Sequence, residues 1–358
     1  MHLLRLTEHG LYCEAGDFFV DPWEPVDRAV ITHAHGDHAT WGSRAYLTSA
    51  EGVGVLRARL EPGATIRGVG YGEPLSLNGT TVSLHPAGHI LGSSQVRIEH
   101  RGEVWVVSGD YKTDPDPTCT PFEPVRCHTF ITESTFGLPI YRWPPQSDVF
   151  QEINAWWRAN AASGTASLLF GYTLGKAQRL LAGLDPSIGP ILTHGAVERM
   201  TRAYREAGIA LPATQYAGTA AERADSTGAL VIAPPYAGAS PWARRFGAHS
   251  TGFASGWMMV RGARRRQSLD RGFPLSDHVD WPSLLAAVEA TGAAEVWVTH
   301  GFTGPVVRWL QEKGLDARAI QTRFEGERDE PEASEAVEEV EVGRVGSGAA
   351  GQQSELAL

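Results

Sequence analysis

Short apolar runs, each closed by polar turn-forming residues, recur along the chain and predict an α/β fold. Residues 3–21 read as short strands with a turn near residues 8–10, ending in Phe18, Phe19, Val20 and Asp21. Further strands are expected at residues 29–32, 80–85, 104–110, 129–132 and 295–299. The run VWVVSGD at 104–110 is almost continuously apolar, the pattern of a strand buried on both faces. Between residues 142 and 271 strands (167–171, 190–193, 230–233) alternate with helices. One helix starts near Gly175 and buries Leu180 and Leu181, and another runs around 197–207; this alternation predicts a parallel sheet. A last helix follows His278, with Asp280 near its start, Pro282 in its first turn and Leu284, Leu285 and Val288 on one face.

The apolar runs end in side chains that bind metals. The stretch AVITHAHGDH (29–38) delivers His33, His35, Asp37 and His38 from one turn, a density that packing does not require. In a tight turn His33 and His35 point one way and Asp37 and His38 another, which suits two adjacent cations. His89 follows the run at 80–85, Asp110 ends the run at 104–110, and Glu133 ends the next, opening ESTFG. His278 lies in LSDHVDW, and His300 closes the run at 295–299. Strand ends gathered on one sheet edge are where α/β enzymes build their sites. Asp21, just before Pro22, reads either as a turn residue or as a carboxylate orienting a ligand histidine. His85, inside its strand, reads as structural.

Composition narrows the partners. Hydrophobic residues make up 42% and charged residues 20%, as in ordinary globular proteins. No apolar run approaches a membrane span, and MHLLRLTEHG does not read as a secretory signal, so a cytoplasmic location and no membrane partner are expected. Cys13, Cys119 and Cys127 have no zinc-finger or redox spacing and read as free thiols. The net charge of −10 by itself argues against a nucleic-acid partner, but residues 325–358 hold ten acids against Arg328 and Arg344. Everything before them is nearly neutral; the acidic segment reads as a solvated, disordered tail. Residues 240–272 hold seven arginines, among them Arg264, Arg265 and Arg266, against the single acid Asp270, a local basic concentration suited to phosphates.

The pattern His-x-His-x-Asp-His resembles the signature of the metallo-β-lactamase superfamily. With His89, Asp110, Glu133, His278 and His300 in this order, the chain resembles the superfamily's β-CASP nuclease branch over nearly all of residues 10–323. TGFASGWMMVRGARRR and DRGFPLSDHVDW are most similar to the bacterial ligase-associated DNA exonucleases, whose older label is mRNA 3′-end processing factor. The resemblance implies an αββα sandwich (1–141 and 272–324) interrupted by a compact β-CASP-type α/β domain (142–271), with the tail at 325–358. It implies two divalent cations, zinc first with manganese or iron as alternatives: one on His33, His35 and His89, the other on Asp37, His38 and His300, bridged by Asp110. Glu133 would hold a protonated His278 as general acid, with Asp21 orienting the imidazoles. For a single-stranded substrate lying between the two domains, the arginine cluster with Arg264, Arg265 and Arg266 and the backbone amides near Ser134, Thr135, Ser255 and Gly256 are expected to hold phosphates, helped by Lys176 near a helix start. The expected activity is hydrolysis of phosphodiesters at single-stranded ends, DNA before RNA, in repair beside DNA ligase and helicase partners. An RNA-processing nuclease is the main alternative; a small-ester hydrolase and an inactive nucleic-acid-binding scaffold are the others.

Overall fold

Strand ends point where the motifs predict because two sheets stack face to face. A computed structural model describes residues 2–218, 226–260 and 269–323. Among them the strands form three sheets. The first runs β1 (Arg5–Thr7), β2 (Gly10–Cys13), β3 (Phe18–Val20), β4 (Ala29–Val30), β5 (Tyr46–Ser49) and β6 (Ile66–Val69) in that order. The second contains β7 (Leu75–Leu77), β8 (Thr80–Pro86), β9 (Ser94–His100), β10 (Glu103–Val107), β11 (Thr129–Glu133), β18 (Glu295–Thr299) and β19 (Asp316–Ala319), ordered β19-β18-β11-β10-β9-β8-β7. Leu11, Phe18, Val20 and Val30 of the first sheet share one buried core with Val82, Ile98, Trp105, Ile131 and Trp297 of the second. Alternating side chains leave each sheet a second face, which helices cover.

On the second sheet, Val106, Phe130, Val296 and Val298 pack against α5 (Trp281–Thr291) and α6 (Thr303–Glu312) through Leu284, Val288, Val306 and Leu310. The start of α5 follows from sequence: Asp280 Oδ1 accepts from the Ser283 amide at 3.0 Å, a cap contributing about 1 kcal/mol, and Pro282 fills a first-turn position. On the first sheet, Ala29, Ile31 and Tyr46 pack with Val55 and Leu56 of α1 (Val53–Arg59). The layers are therefore helix, sheet, sheet, helix, an α/β sandwich.

The third sheet is parallel throughout, as the alternation of apolar runs predicts. It contains β12 (Ala166–Phe170), β13 (Ile191–Thr193), β14 (Gln215–Tyr216), β15 (Leu230–Ala233), β16 (His249–Ala254) and β17 (Arg271–Phe273), ordered β14-β13-β15-β12-β16-β17. One face packs on α2 (Gln146–Ala162), α3 (Lys176–Gly183) and α4 (Gly195–Glu206) through Ile153, Trp157, Leu180 and Val197. Tyr204 of α4 also reaches the first sheet's core, and its hydroxyl accepts from the Leu91 amide at 3.0 Å. Among the described residues no helix is long and apolar enough to cross a membrane. The arginines Arg264–Arg266 and the acidic tail lie outside the described residues.

Candidate metal centre

Three imidazoles converge after β4 and β8 with their proton-bearing nitrogens already committed. His33 Nδ1 sits 3.0 Å from Thr32 Oγ1, whose own hydrogen goes to Asp21 Oδ2 at 2.6 Å. His89 Nδ1 donates to the Asp277 carbonyl at 2.9 Å, and His35 Nε2 to the Leu174 carbonyl at 3.1 Å. These partners fix each tautomer and leave His33 Nε2, His89 Nε2 and His35 Nδ1 with lone pairs. Both His33 Nε2 and His89 Nε2 lie 3.1 Å from His35 Nδ1. Lone pairs facing at that distance repel unless an electrophile lies between them, and tetrahedral donors about 2.0–2.1 Å from zinc are themselves roughly 3.3 Å apart. Asp110 Oδ2 completes the group at 3.5 Å from His33 Nε2 and 3.8 Å from His89 Nε2. One atom from each of His33, His35, His89 and Asp110 lies within 4.8 Å of the others, a group able to hold a metal ion. The donor chemistry fits a divalent cation.

Burial keeps these imidazoles neutral, the state a ligand needs. It drives His33 and His89 well below the ordinary histidine value and His35 to about 4. His38 behaves differently. Burial would lower it too, but the carboxylates of Asp37, Asp110 and Asp21 outweigh burial and raise it to about 10. Burial pushes Asp110 up to about 7 against the pull of His38. Four carboxylates, Asp21, Asp37, Asp110 and Glu133, thus create a field that favours added positive charge.

His38 connects this cluster to a looser neighbouring one. Its Nδ1 donates to Asp21 Oδ2 at 2.8 Å, while Nε2, buried and without a hydrogen-bond partner among the described residues, lies 3.7 Å from Asp37 Oδ2 and 3.6 Å from Asp110 Oδ2. The His300 ring lies 5.5 Å from that of His38, and burial lowers it to about 4. Asp37, His38 and His300 do not converge as closely as the first group. Asp21 and His300 both occupy positive φ, +44° and +54°, a cost of order 1 kcal/mol tolerated where tertiary contacts impose it. At Asp21 those contacts are the Thr32 amide at 2.8 Å, the Thr32 hydroxyl and His38. At His300 the Ser134 hydroxyl donates to the carbonyl, and Gly301 follows at φ +70°, where a Cβ would lie 2.4 Å from the Ser134 carbonyl oxygen.

Glu133 and His278 form a buried pair on the other side of Asp110. His278 Nδ1 lies 2.8 Å from Glu133 Oε2 and 4.0 Å from Asp110 Oδ2. The Tyr111 amide donates to Glu133 Oε1 at 2.8 Å and the Thr135 hydroxyl to Oε2. Burial would raise Glu133, but His278 and these donors outweigh it and hold the carboxyl below its ordinary value.

The residues expected to hold substrate mostly have other tasks. Lys176 is fully buried, with Nζ 2.6 Å from Asp277 Oδ1 and donating to the Leu275 carbonyl at 3.0 Å, so its charge is spent inside the protein. Ser255 is buried, its amide donated to the Phe273 carbonyl and its hydroxyl accepting from the Trp257 amide. Gly256 is a packing glycine: a Cβ there would meet Phe136 Cζ at 2.4 Å. Ser134 and Thr135 are buried and spend their hydroxyls on His300 and Glu133. Sequence reasoning missed Asp277, whose carbonyl orients His89. It also missed Arg179, buried, paired with Asp116 and donating to the Ser276 carbonyl at 2.8 Å. The signal for Asp277 was its place beside His278.

No family model matches the chain. It is 36% identical over 315 residues to a protein named probable DNA ligase from Opitutus terrae, covering 87% of this chain and 30% of that protein. It is 29% identical over 122 residues to the endoribonuclease YSH1 of Saccharomyces cerevisiae, covering 34% of this chain and 15% of the relative. To RNase aCSPSF2 of Saccharolobus solfataricus it is 28% identical over 119 residues, 32% of this chain and 24% of that one. The chain thus spans less than a third of each of these relatives. A crystal structure of a protein of unknown function from Enterococcus faecalis V583 is similar at a TM-score of 0.53 and 14% identity, covering 84% of this chain and 80% of that one. That likeness concerns the fold alone.

Proposed function

We propose that this chain, which belongs to the β-CASP nuclease branch of the metallo-β-lactamase superfamily, is a metal-dependent nuclease that trims single-stranded DNA ends during repair. The observation that carries the reading is the convergence of the His33, His35 and His89 lone pairs with Asp110, beside the Glu133–His278 pair. His33, His35, His89 and Asp110 would hold one divalent cation, zinc before manganese or iron, and Asp37, His38, His300 and the same Asp110 a second. Bound there, such cations supply an acidified water and neutralise charge building on phosphate oxygens. The chain's own part is positional and protonic. Thr32, Leu174 and Asp277 lock the imidazole tautomers, and Asp21 orients His38 directly and His33 through Thr32. With Nδ1 held by Glu133, His278 presents Nε2 as the proton donor to the leaving oxygen.

DNA is favoured because a protein named probable DNA ligase contains a stretch like this chain, which supports work beside a ligase. The relatives named as ribonucleases support the second reading, RNA processing. The deciding experiment incubates 5′- and 3′-labelled single-stranded DNA and RNA of equal length with the protein and each divalent metal. Shortening of DNA from an end is expected. Preferred cleavage of RNA selects the second reading, and no hydrolysis with any metal overturns both.

A further inference from the structure

Beside His278 lies an aromatic cluster for which the hydrolysis itself has no use. Phe136, fully buried, is its hub: its ring centroid is 4.9 Å from those of Tyr141 and Trp143, 4.8 Å from that of Trp257 and 6.0 Å from that of His278. Tyr141 stacks on Phe302 at 6.1 Å with 29° between the planes, and Trp257 lies 6.3 Å from Phe302. The hub is shut off from solvent, but Trp143, Trp257 and Phe302 are only partly buried, and Ile140, which precedes Tyr141, is 59% exposed. The rim is tied to the candidate centre from two sides. The Trp143 indole donates to the His278 carbonyl at 2.9 Å, and Phe302 follows His300 by two residues. Arg142, exposed between Tyr141 and Trp143, adds positive charge to an otherwise apolar surface.

Flat rings, each with a minor part of its surface exposed and braced from behind by a buried hub, form a rigid stacking surface that costs little entropy to use. An adjacent cation suits the backbone phosphates that accompany stacked bases. We propose that Trp257 and Phe302 stack unpaired bases flanking the phosphodiester to be cleaved, so that this rim selects single-stranded over duplex nucleic acid. The inference rests on the nuclease reading and names how that substrate is held. A duplex keeps its bases stacked on one another and offers this surface only its terminal pair.

The test uses the metal-loaded full chain and single-stranded DNA made resistant to cleavage by phosphorothioate linkages, alongside a matched oligomer whose three nucleotides at each end lack bases. Trp257→Ala and Phe302→Ala are each expected to weaken binding of the base-bearing oligomer about 10-fold. Binding of the abasic oligomer should change less than about twofold, and Trp257→Phe should recover most of the loss. Equal losses on both oligomers would assign the rings a purely structural role and overturn the proposal, as would no loss on either. Failure of the nuclease reading is seen separately, as absence of hydrolysis of unmodified oligomers by the wild-type chain, whereas the stacking inference is decided by the binding comparison alone.

Discussion

Lys176 and Asp277 meet as a buried ion pair, Nζ to Oδ1 2.6 Å, joining the first turn of α3 to the loop that carries His278. Both side chains are essentially inaccessible, so removing one partner strands a charge where water cannot reach it. Lys176→Met is expected to cost about 3–5 kcal/mol, and pairing it with Asp277→Leu to cost markedly less. Urea unfolding of the two variants checks this. A Lys176→Met midpoint equal to wild type would show that the pair contributes nothing.

The same pair sets an acid limit to stability. Burial alone would raise the Asp277 carboxyl, but the charge of Lys176, reinforced by Arg179, outweighs it and holds the group well below 3.8. A carboxyl depressed in the folded state contributes stability that is complete above its unfolded value and is lost as pH falls through the folded one. Unfolding midpoints of the wild type should therefore fall steeply below about pH 4, with a shallower fall in Asp277→Asn. Parallel profiles for the two proteins would contradict this.

Asp21 is expected to govern metal affinity without touching metal. It orients His38 at 2.8 Å and, through Thr32, His33. Asn adopts positive φ as readily as Asp, so Asp21→Asn keeps the backbone while removing the charge. Outer partners of ligating histidines are typically worth 10- to 100-fold in affinity, and a loss of that size is predicted here. His35→Ala, which removes a donor outright, should lose more. Competition with a chelator of known affinity measures both, and wild-type affinity in His35→Ala would remove that residue from the ligand set.

How much of this was legible in sequence depended on whether a residue's surroundings come from its own strand or from afar. His33, His35, Asp37, His38, His89, Asp110, Glu133 and His300 could be placed together because each ends or follows an apolar run; the runs lie in two stacked sheets, parallel at β3–β4 in one and at β10–β11–β18 in the other, while β8, between antiparallel neighbours, delivers His89. Lys176 reads from its own segment as a phosphate contact, but its partner is 101 residues away, and nothing local distinguishes a buried lysine from a surface one. Arg179 and Asp116, separated by 63 residues, were invisible for the same reason. Gly256 reads from sequence as part of a backbone contact to phosphate, whereas close packing against Phe136 explains the glycine. The aromatic cluster brings together Tyr141, Trp257 and Phe302 from three distant segments, which no spacing rule could assemble.

Glu133→Gln separates the proposed acid from the proposed metal ligands. Glutamine keeps the shape, yet it replaces the anion that accepts from His278 Nδ1 at 2.8 Å with a neutral amide whose Nε2 cannot accept. Asp110 lies 4.0 Å from the same nitrogen and cannot substitute without abandoning the cluster with His33 and His89. If His278 donates the proton to the leaving oxygen, kcat should fall by about 10²–10⁴ while metal content stays at the wild-type level. A substrate whose leaving group needs no proton, such as a p-nitrophenyl phosphodiester, should recover much of that loss. Equal losses on good and poor leaving groups would mean that Glu133 and His278 serve the architecture of the site and not proton transfer.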